Sequence, residues 1–169
     1  PMKLDKKQKF ISTLDAHKKI IYKIVNSYCP NKENRKDLEQ EIIIQLWNTF
    51  DRYDPQYKYS TWMYRIALNV AISHYRKEKK GLIQTDFYNE ESVYIIADEQ
   101  EYDPSLDINI SLLQDFIDKL NALNKAMLLL YLEEKSYEEI AAILGITKTN
   151  VATKISRLKQ QLKKEFKNR

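Results

Sequence analysis

The sequence predicts an all-α protein: two small helical domains joined by an acidic flexible linker, the C-terminal domain carrying a helix-turn-helix. Three observations predict this. The 169 residues include only 2 glycines and 4 prolines, too few for the turn-rich course of a β fold. Hydrophobic residues make up 43% of the chain, and over most of its length they recur at helical spacing. Charge falls into three blocks. Residues 1–80 hold 17 Lys and Arg against 9 Asp and Glu, residues 81–118 hold 10 acidic residues and no basic one, and residues 119–169 hold 11 basic against 5 acidic. Two basic helical blocks thus flank an acidic segment, and basic blocks favour polyanionic partners. We divide the chain at 4–80, 81–110 and 111–166.

Residues 4–29 are periodic through Phe10, Leu14, His17, Ile21, Ile24, Val25 and Tyr28, until Pro30 and Asn31 break the pattern. A second helix spans Asp37 to Phe50, with Leu38, Ile42, Leu46 and Trp47 as its apolar face. Asp37, Glu39 and Glu41 fall in its expected first turn, where carboxylates are favourable. Its outward residues include Glu39, Gln40, Ile43 and Asn48. Acidic and apolar groups exposed together suit a protein partner, a plain solvated acidic face being the alternative. Asp51 to Tyr59 is a loop marked by Asp54-Pro55. Ser60 is placed to cap a third helix from Thr61 to about Lys79, stopped by Gly81. Met63, Ile66, Ala67, Val70 and His74 form its expected core face. Residues 81–110 are acidic and weakly periodic, and read as linker. From there helices are expected over roughly 111–119, 122–134, 136–144 and 147–166.

The last two of these form the most informative stretch, Ser136 to Lys159. Two helices that cross steeply need a small residue where their backbones meet, a residue tolerant of left-handed dihedrals in the turn, and an aliphatic anchor on the second helix. Ala141, Gly145 and Val151 stand at the required spacing. Ser136 and Glu139 form a capping box, and Thr147 caps the second helix. Tyr137, Ile140, Ala141 and Leu144 make the first helix's apolar face; Val151, Ile155, Leu158 and Leu162 make that of the second. Lys148, Thr149, Asn150, Thr153, Lys154 and Arg157 then face outward. Hydrogen-bonding and cationic side chains there suit a major groove and its phosphates.

The segment Asp51 to Lys80 interleaves aromatics with cations: Arg52, Tyr53, Tyr57, Lys58, Tyr59, Trp62, Tyr64, Arg65, Tyr75, Arg76 and Lys77. Single-stranded nucleic acid is held by such stacking platforms along a cationic track. Trp62 has two open readings, base stacking and packing beneath the loop; for Tyr64 and Tyr75 core packing is preferred.

Several classes are disfavoured. No glycine loop for phosphates and no nucleophile–base set points to an enzyme. Cys29 is the single cysteine, which rules out an internal disulfide and suits a reducing cytoplasm. With only His17 and His74 beside it, far apart in sequence, no metal site is expected, and no cofactor is implied. No apolar run approaches a membrane span, Ala126 to Leu132 being the longest. No signal peptide opens the chain, and Pro1 before Met2 reads as an expression remnant.

Taken in order, these motifs resemble the sigma-70-type initiation factors of the compact extracytoplasmic-function group (group 4). Asp37-Leu-Glu-Gln-Glu41 followed by Leu46-Trp47 is similar to the family's polymerase-binding helix. Tyr59-Ser-Thr-Trp-Met-Tyr-Arg-Ile-Ala67, with Asn69 and Ala71, is similar to its promoter-melting helix. Leu123 to Leu162 resembles its C-terminal helix-turn-helix region. Asn121-Ala-Leu-Asn124 departs from the usual proline-containing start of that region, and the last helix is less arginine-rich than many.

The resemblance implies the partners. Core RNA polymerase, through the β′ coiled coil and the β subunit, would meet Asp37, Glu39, Gln40, Glu41, Ile43, Ile44 and Trp47. Promoter DNA would meet the chain twice. Lys148, Thr149, Asn150, Thr153, Lys154 and Arg157 would take the −35 element. Arg52, Tyr57, Lys58, Tyr59, Trp62, Arg65, Asn69, Arg76 and Lys77 would take the −10 element and its melting. Within that set the 52–59 loop captures an extruded base and Asn69 marks the upstream edge, with His74 near duplex phosphates. An anti-sigma factor is a usual family partner. The acidic linker would occupy a cationic polymerase channel as a nucleic-acid mimic, a disordered tether being the alternative. The rival reading is a helix-turn-helix regulator that acts without being a polymerase subunit.

Overall fold

A computed structural model describes residues 2–79 and 104–168, with side chains from residue 5 and from residue 108. The greater part of the expected linker, and Gly81 as the expected helix stop, lie outside the described residues. Those described form α1 (Met2–Ala16), α2 (Lys18–Tyr28), α3 (Lys32–Thr49), a 3-10 turn (Phe50–Arg52), α4 (Tyr59–Lys79), α5 (Pro104–Lys119), α6 (Ala122–Leu132), α7 (Tyr137–Leu144) and α8 (Lys148–Lys167). No strand occurs among the described residues, so the all-α class stands. The chain divides near residue 90 into two compact units.

In the first unit α2, α3 and α4 pack on one another. Their shared core is Ile21, Ile24, Val25 and Tyr28 from α2, Leu38, Ile42 and Leu46 from α3, and Met63, Tyr64, Ala67, Leu68 and Ala71 from α4. Helix α1 adds Phe10, edge-on to Trp47 at 5.1 Å and to Phe50 at 5.4 Å. The corner between α2 and α3 is tied by Arg35, whose Nε donates to the Cys29 carbonyl at 2.8 Å.

Five boundaries and faces differ from the sequence expectation. The helix expected over 4–29 is broken at His17, whose φ of −124° and ψ of 17° leave the helical region. Its Nδ1 lies 3.0 Å from the Thr13 carbonyl. The break costs one residue and barely shifts the apolar phase, so periodicity does not reveal it. Helix α3 starts at Lys32, well before Asp37, because Asn31 caps it by accepting from the Glu33 N–H at 3.0 Å. Its first turn therefore carries Glu33, and Asp37, Glu39 and Glu41 lie inside the helix. Trp47, placed with the core face, remains 36% exposed. Helix α4 begins at Tyr59, with the Trp62 N–H already donating to the Lys58 carbonyl at 3.2 Å, so Ser60 is no cap. Ile66 and Val70 are only half-buried, because α4 buries a broad stripe against both α2 and α3 and these two residues sit at its edge.

The second unit has its core in Phe116, Ile117, Ala126, Met127, Leu130, Ile140, Ile143, Val151, Ile155 and Leu158. Helix α5 starts at Pro104, where the linker was expected to continue to 110. Proline suits a first helical turn, which needs no N–H. The alternating Leu106-Asp-Ile-Asn-Ile-Ser111 masks the helical period, and Ile108 stays exposed.

The helix-turn-helix is built as its caps require. Ser136 Oγ accepts from the Glu139 N–H at 3.1 Å and Thr147 Oγ1 from the Asn150 N–H at 3.1 Å. Gly145 takes φ +69°, and its N–H and that of Ile146 both donate to the Ala141 carbonyl. A Cβ at Gly145 would meet nothing within 4 Å, so the dihedral, not crowding, calls for glycine. On α7 the fully buried pair is Ile140 and Ile143, while Tyr137, Ala141 and Leu144 are half-buried, as is Leu162 on α8. The buried face is rotated toward Ile143 because α7 packs on both α6 and α8. Replacing Ile155, 1% exposed, by alanine costs about 2–5 kcal/mol.

Candidate nucleic-acid and protein interfaces

On α8 the turn and cap present Lys148, Thr149, Asn150, Thr153 and Arg157 to solvent. Lys154, expected to face out with them, is half-buried, because it lies one residue from the buried Ile155 at the edge of the packed stripe. Thr153 donates its hydroxyl to the Thr149 carbonyl at 3.0 Å, which leaves its oxygen free to accept. Lys148 Nζ lies 2.5 Å from Glu138 Oε1 on α7. That hydrogen bond holds the Glu138 carboxyl below the usual carboxylate range. No sequence signal pointed to Glu138, since the pair depends on the angle between two helices.

On α3, Asp37, Gln40, Ile44 and Trp47 share one exposed face by helical register, with Ile44 55% exposed. Glu39 is exposed beside it and Ile43 is half-buried. The Trp47 ring carries Phe10 on one edge, and Lys6 Nζ stands 4.3 Å from its centroid. Lys6 also bonds Asp51 at 2.7 Å. Glu41 departs from this face: with Gln45 and Thr49 it lines an open groove of about 390 Å³ between α3 and α4. The opposite wall comes from Ile66, Asn69, Val70, Ser73, His74 and Lys77.

The loop before α4 is pinned from within. Tyr53 donates its hydroxyl to the Tyr57 carbonyl, the Gln56 N–H donates to Asp54 Oδ1 at 2.9 Å, and the Tyr57 N–H donates to the Asp54 carbonyl at 3.1 Å. The Tyr59 ring stacks on Tyr53 at 4.1 Å and 16°. Trp62 is half-buried, with Tyr53 at 5.7 Å and Phe50 at 5.9 Å. The Trp62 ring thus packs against the aromatics of the loop while part of its surface stays in solvent. Tyr57 is 43% exposed, and Arg52, Lys58, Arg65, Asn69, Arg76 and Lys77 are all exposed. Tyr64 is buried and Tyr75 sits edge-on to Tyr28 at 6.0 Å, both as packing residues. Phe50 and Tyr53 complete the aromatic cluster.

Residues 13–81 match the family model Sigma-70 region 2, and residues 110–162 match Sigma-70, region 4. The chain is similar to the RNA polymerase sigma factor YlaC of Bacillus subtilis (strain 168), with 31% identity over 135 residues, covering 79% of this chain and 78% of that protein. It is also similar to the ECF RNA polymerase sigma factor SigW of the same organism, with 28% identity over 172 residues, covering 94% of this chain and 89% of the relative. Among solved structures, the co-crystal structure of the sigma factor RpoE with the anti-sigma factor NepR from Bartonella quintana shares the fold. Its TM-score is 0.68 at 21% identity, covering 96% of this chain and 97% of that one. The structure of CnrH with the cytosolic domain of CnrY gives a TM-score of 0.67 at 18% identity, covering 96% and 90%. The region 2 match in the first unit sets aside a regulator that is not a polymerase subunit. Helical units, caps, turn and both family regions agree: this chain belongs to the sigma-70 family, in its ECF group, as a sigma factor that directs promoter-specific transcription initiation.

Proposed function

We propose that the two units divide promoter recognition between them, with residues 4–80 binding core polymerase and melting the −10 element and residues 111–166 taking the −35 element. The observation that carries this is the α8 face. Thr149, Asn150, Thr153 and Arg157 stand exposed together on a helix whose start is fixed by Gly145 and Thr147. A recognition helix reads base edges from its N-terminal turns, with arginine and lysine on flanking phosphates. Lys148 and the half-buried Lys154 supply the cations at its margins.

In the first unit Asp37, Gln40, Ile44 and Trp47 form the polymerase face, with Glu39, Ile43 and Glu41 around it, for the β′ coiled coil and the β subunit. The −10 strand runs along Arg52, Tyr57, Lys58, Tyr59, Trp62, Arg65, Asn69, Arg76 and Lys77, the Tyr59 and Trp62 rings also stiffening the loop. The acidic stretch that precedes α5 occupies a cationic polymerase channel. An anti-sigma factor sequesters the free chain, a reading supported by structural neighbours solved in complex with NepR and with the cytosolic domain of CnrY. The protein acts in the cytoplasm, without catalysis of its own, cofactor or membrane insertion; among the described residues no helix is long and apolar enough to cross a membrane.

Co-purification with core polymerase, followed by run-off transcription on genomic fragments, tests the proposal. Specific start sites bearing a shared −35 and −10 pair are expected. Failure to bind core enzyme, or initiation without a shared pair, would overturn it.

A further inference from the structure

We propose that helix α1 belongs to the polymerase-binding apparatus, with Lys6 as a positioning residue that holds the Trp47 ring in the orientation its partner meets. The inference deepens the polymerase reading of the α3 face above and rests on it. Lys6 and Phe10 stand four residues apart on α1, hence on one side of that helix, and both reach the same indole. Lys6 Nζ lies over the ring, 4.3 Å from its centroid, and Phe10 meets it edge-on at 5.1 Å. A cation over the face and an aromatic at the edge are both favourable partners for an indole. Lys6 is itself anchored, because Nζ donates to Asp51 Oδ2 at 2.7 Å across 45 positions of sequence. Phe10, 7% exposed, roots α1 beside it and is the only buried residue among the described side chains of that helix.

Core packing alone does not call for this arrangement. An aliphatic residue at position 6 would cover the indole and bury more apolar area. Lys6 instead leaves Trp47 in contact with water, next to the exposed Ile44. An exposed ion pair contributes little to stability, and ordering a four-carbon stem costs conformational entropy. The gain appears at binding. A tryptophan already fixed before docking spares the complex the cost of ordering it then. Lys6 could also be read as a stand-in for a basic side chain of the polymerase, displaced when the two meet. Its anchorage to Asp51 and the burial of Phe10 one turn away favour a fixed support over a displaceable one.

The test measures affinity of the full chain for core polymerase in a double-mutant cycle of Lys6→Ala and Trp47→Ala, with Lys6→Arg as the rescue. Lys6→Ala is expected to weaken binding about three- to tenfold, the cost of leaving one large side chain free. Lys6→Arg, which can both cover the ring and bond the carboxylate, should bind within about twofold of the wild type. In the Trp47→Ala background Lys6→Ala should have no further effect. Acrylamide quenching of Trp47, read in a Trp62→Phe chain, should rise with Lys6→Ala and return with Lys6→Arg, while helical circular dichroism holds. Unchanged affinity or unchanged quenching with Lys6→Ala would overturn the proposal. Tighter binding would overturn it in favour of a displaced cover, and an equal loss without Trp47 in favour of direct contact between Lys6 and polymerase. Trp47→Ala binding like the wild type would instead sink the polymerase reading of this face, and the positioning role with it.

Discussion

Lys148 at the start of α8 is paired with Glu138 on α7, Nζ to Oε1 at 2.5 Å. The cation best placed to approach a phosphate is thus already neutralised within the protein. Glu138→Gln should release it and raise affinity for −35 duplex about two- to fivefold at low salt. The gain should vanish as salt screens the phosphates. Fluorescence anisotropy across a salt series reads this, and an unchanged or lower affinity at low salt would show that Lys148 does not meet DNA.

Asn150 and Arg157 are both exposed on α8 and should behave differently. Asn150→Ala should cost about 1–3 kcal/mol and relax the preference at a single base pair. Arg157→Ala should weaken all sequences alike and reduce the salt slope by about one. Competition binding with single-base-pair variants separates the two. Identical profiles for both mutants would put the division of roles in error.

Ile44 is a large aliphatic residue held in water beside Gln40 and Trp47. Ile44→Asp removes no core contact, so the helical circular dichroism and melting temperature should hold. Binding to core polymerase should fall about tenfold or more if this face is central to the interface. Undiminished pull-down would move the polymerase surface elsewhere.

Tyr57 and Trp62 separate melting from folding. Trp62→Ala opens the aromatic cluster and should destabilise the first unit by about 2–3 kcal/mol. Tyr57→Ala should leave stability unchanged and lower open-complex formation, since stacking on an unpaired base is worth roughly 1–3 kcal/mol. A premelted template should restore activity to Tyr57→Ala. Normal permanganate reactivity of promoter thymines with that mutant would exclude Tyr57 from strand capture.

Cys29 sits buried in the α2–α3 corner. Burial, with Glu78 adding to it, pushes its thiol up to about 11. Labelling with a thiol-reactive disulfide at pH 8 should be slow in the folded protein and rapid in denaturant. The unfolded thiol ionises at lower pH than the folded one, so the unfolded state gains as pH rises. This contribution to stability is complete below about 9.0 and declines between there and about 11. Denaturant midpoints should fall across that window, and Cys29→Ala, which lacks the thiol, should not show the fall.

The helix-turn-helix was legible because its signals are local. Ser136, Gly145 and Thr147 act within three or four residues of themselves, and each adopts the geometry its chemistry demands. The α3 start was missed because Asn31 precedes a polar run, Lys32 to Lys36, that gives no periodicity to extend. The break at His17 was missed for the opposite reason, since the apolar phase runs on across it. Contacts between elements were beyond the sequence. Nothing in the spacing joins Lys6 to Asp51, Glu138 to Lys148, or Glu41 and Gln45 to Asn69. The aromatics of 53–62 were rightly seen as a group, but their composition does not say whether rings stack on bases or on one another.

Both tryptophans of the chain, Trp47 and Trp62, lie in the first unit, each against aromatic neighbours. The protein therefore carries its own optical reporters on one side only. Indole emission follows events at the exposed α3 face and the pinned loop, while α8 is dark. Titration with a −10 single strand can be watched without a dye. Any emission change provoked by −35 duplex alone would be a signal passed between the two units, detectable in the unlabelled protein.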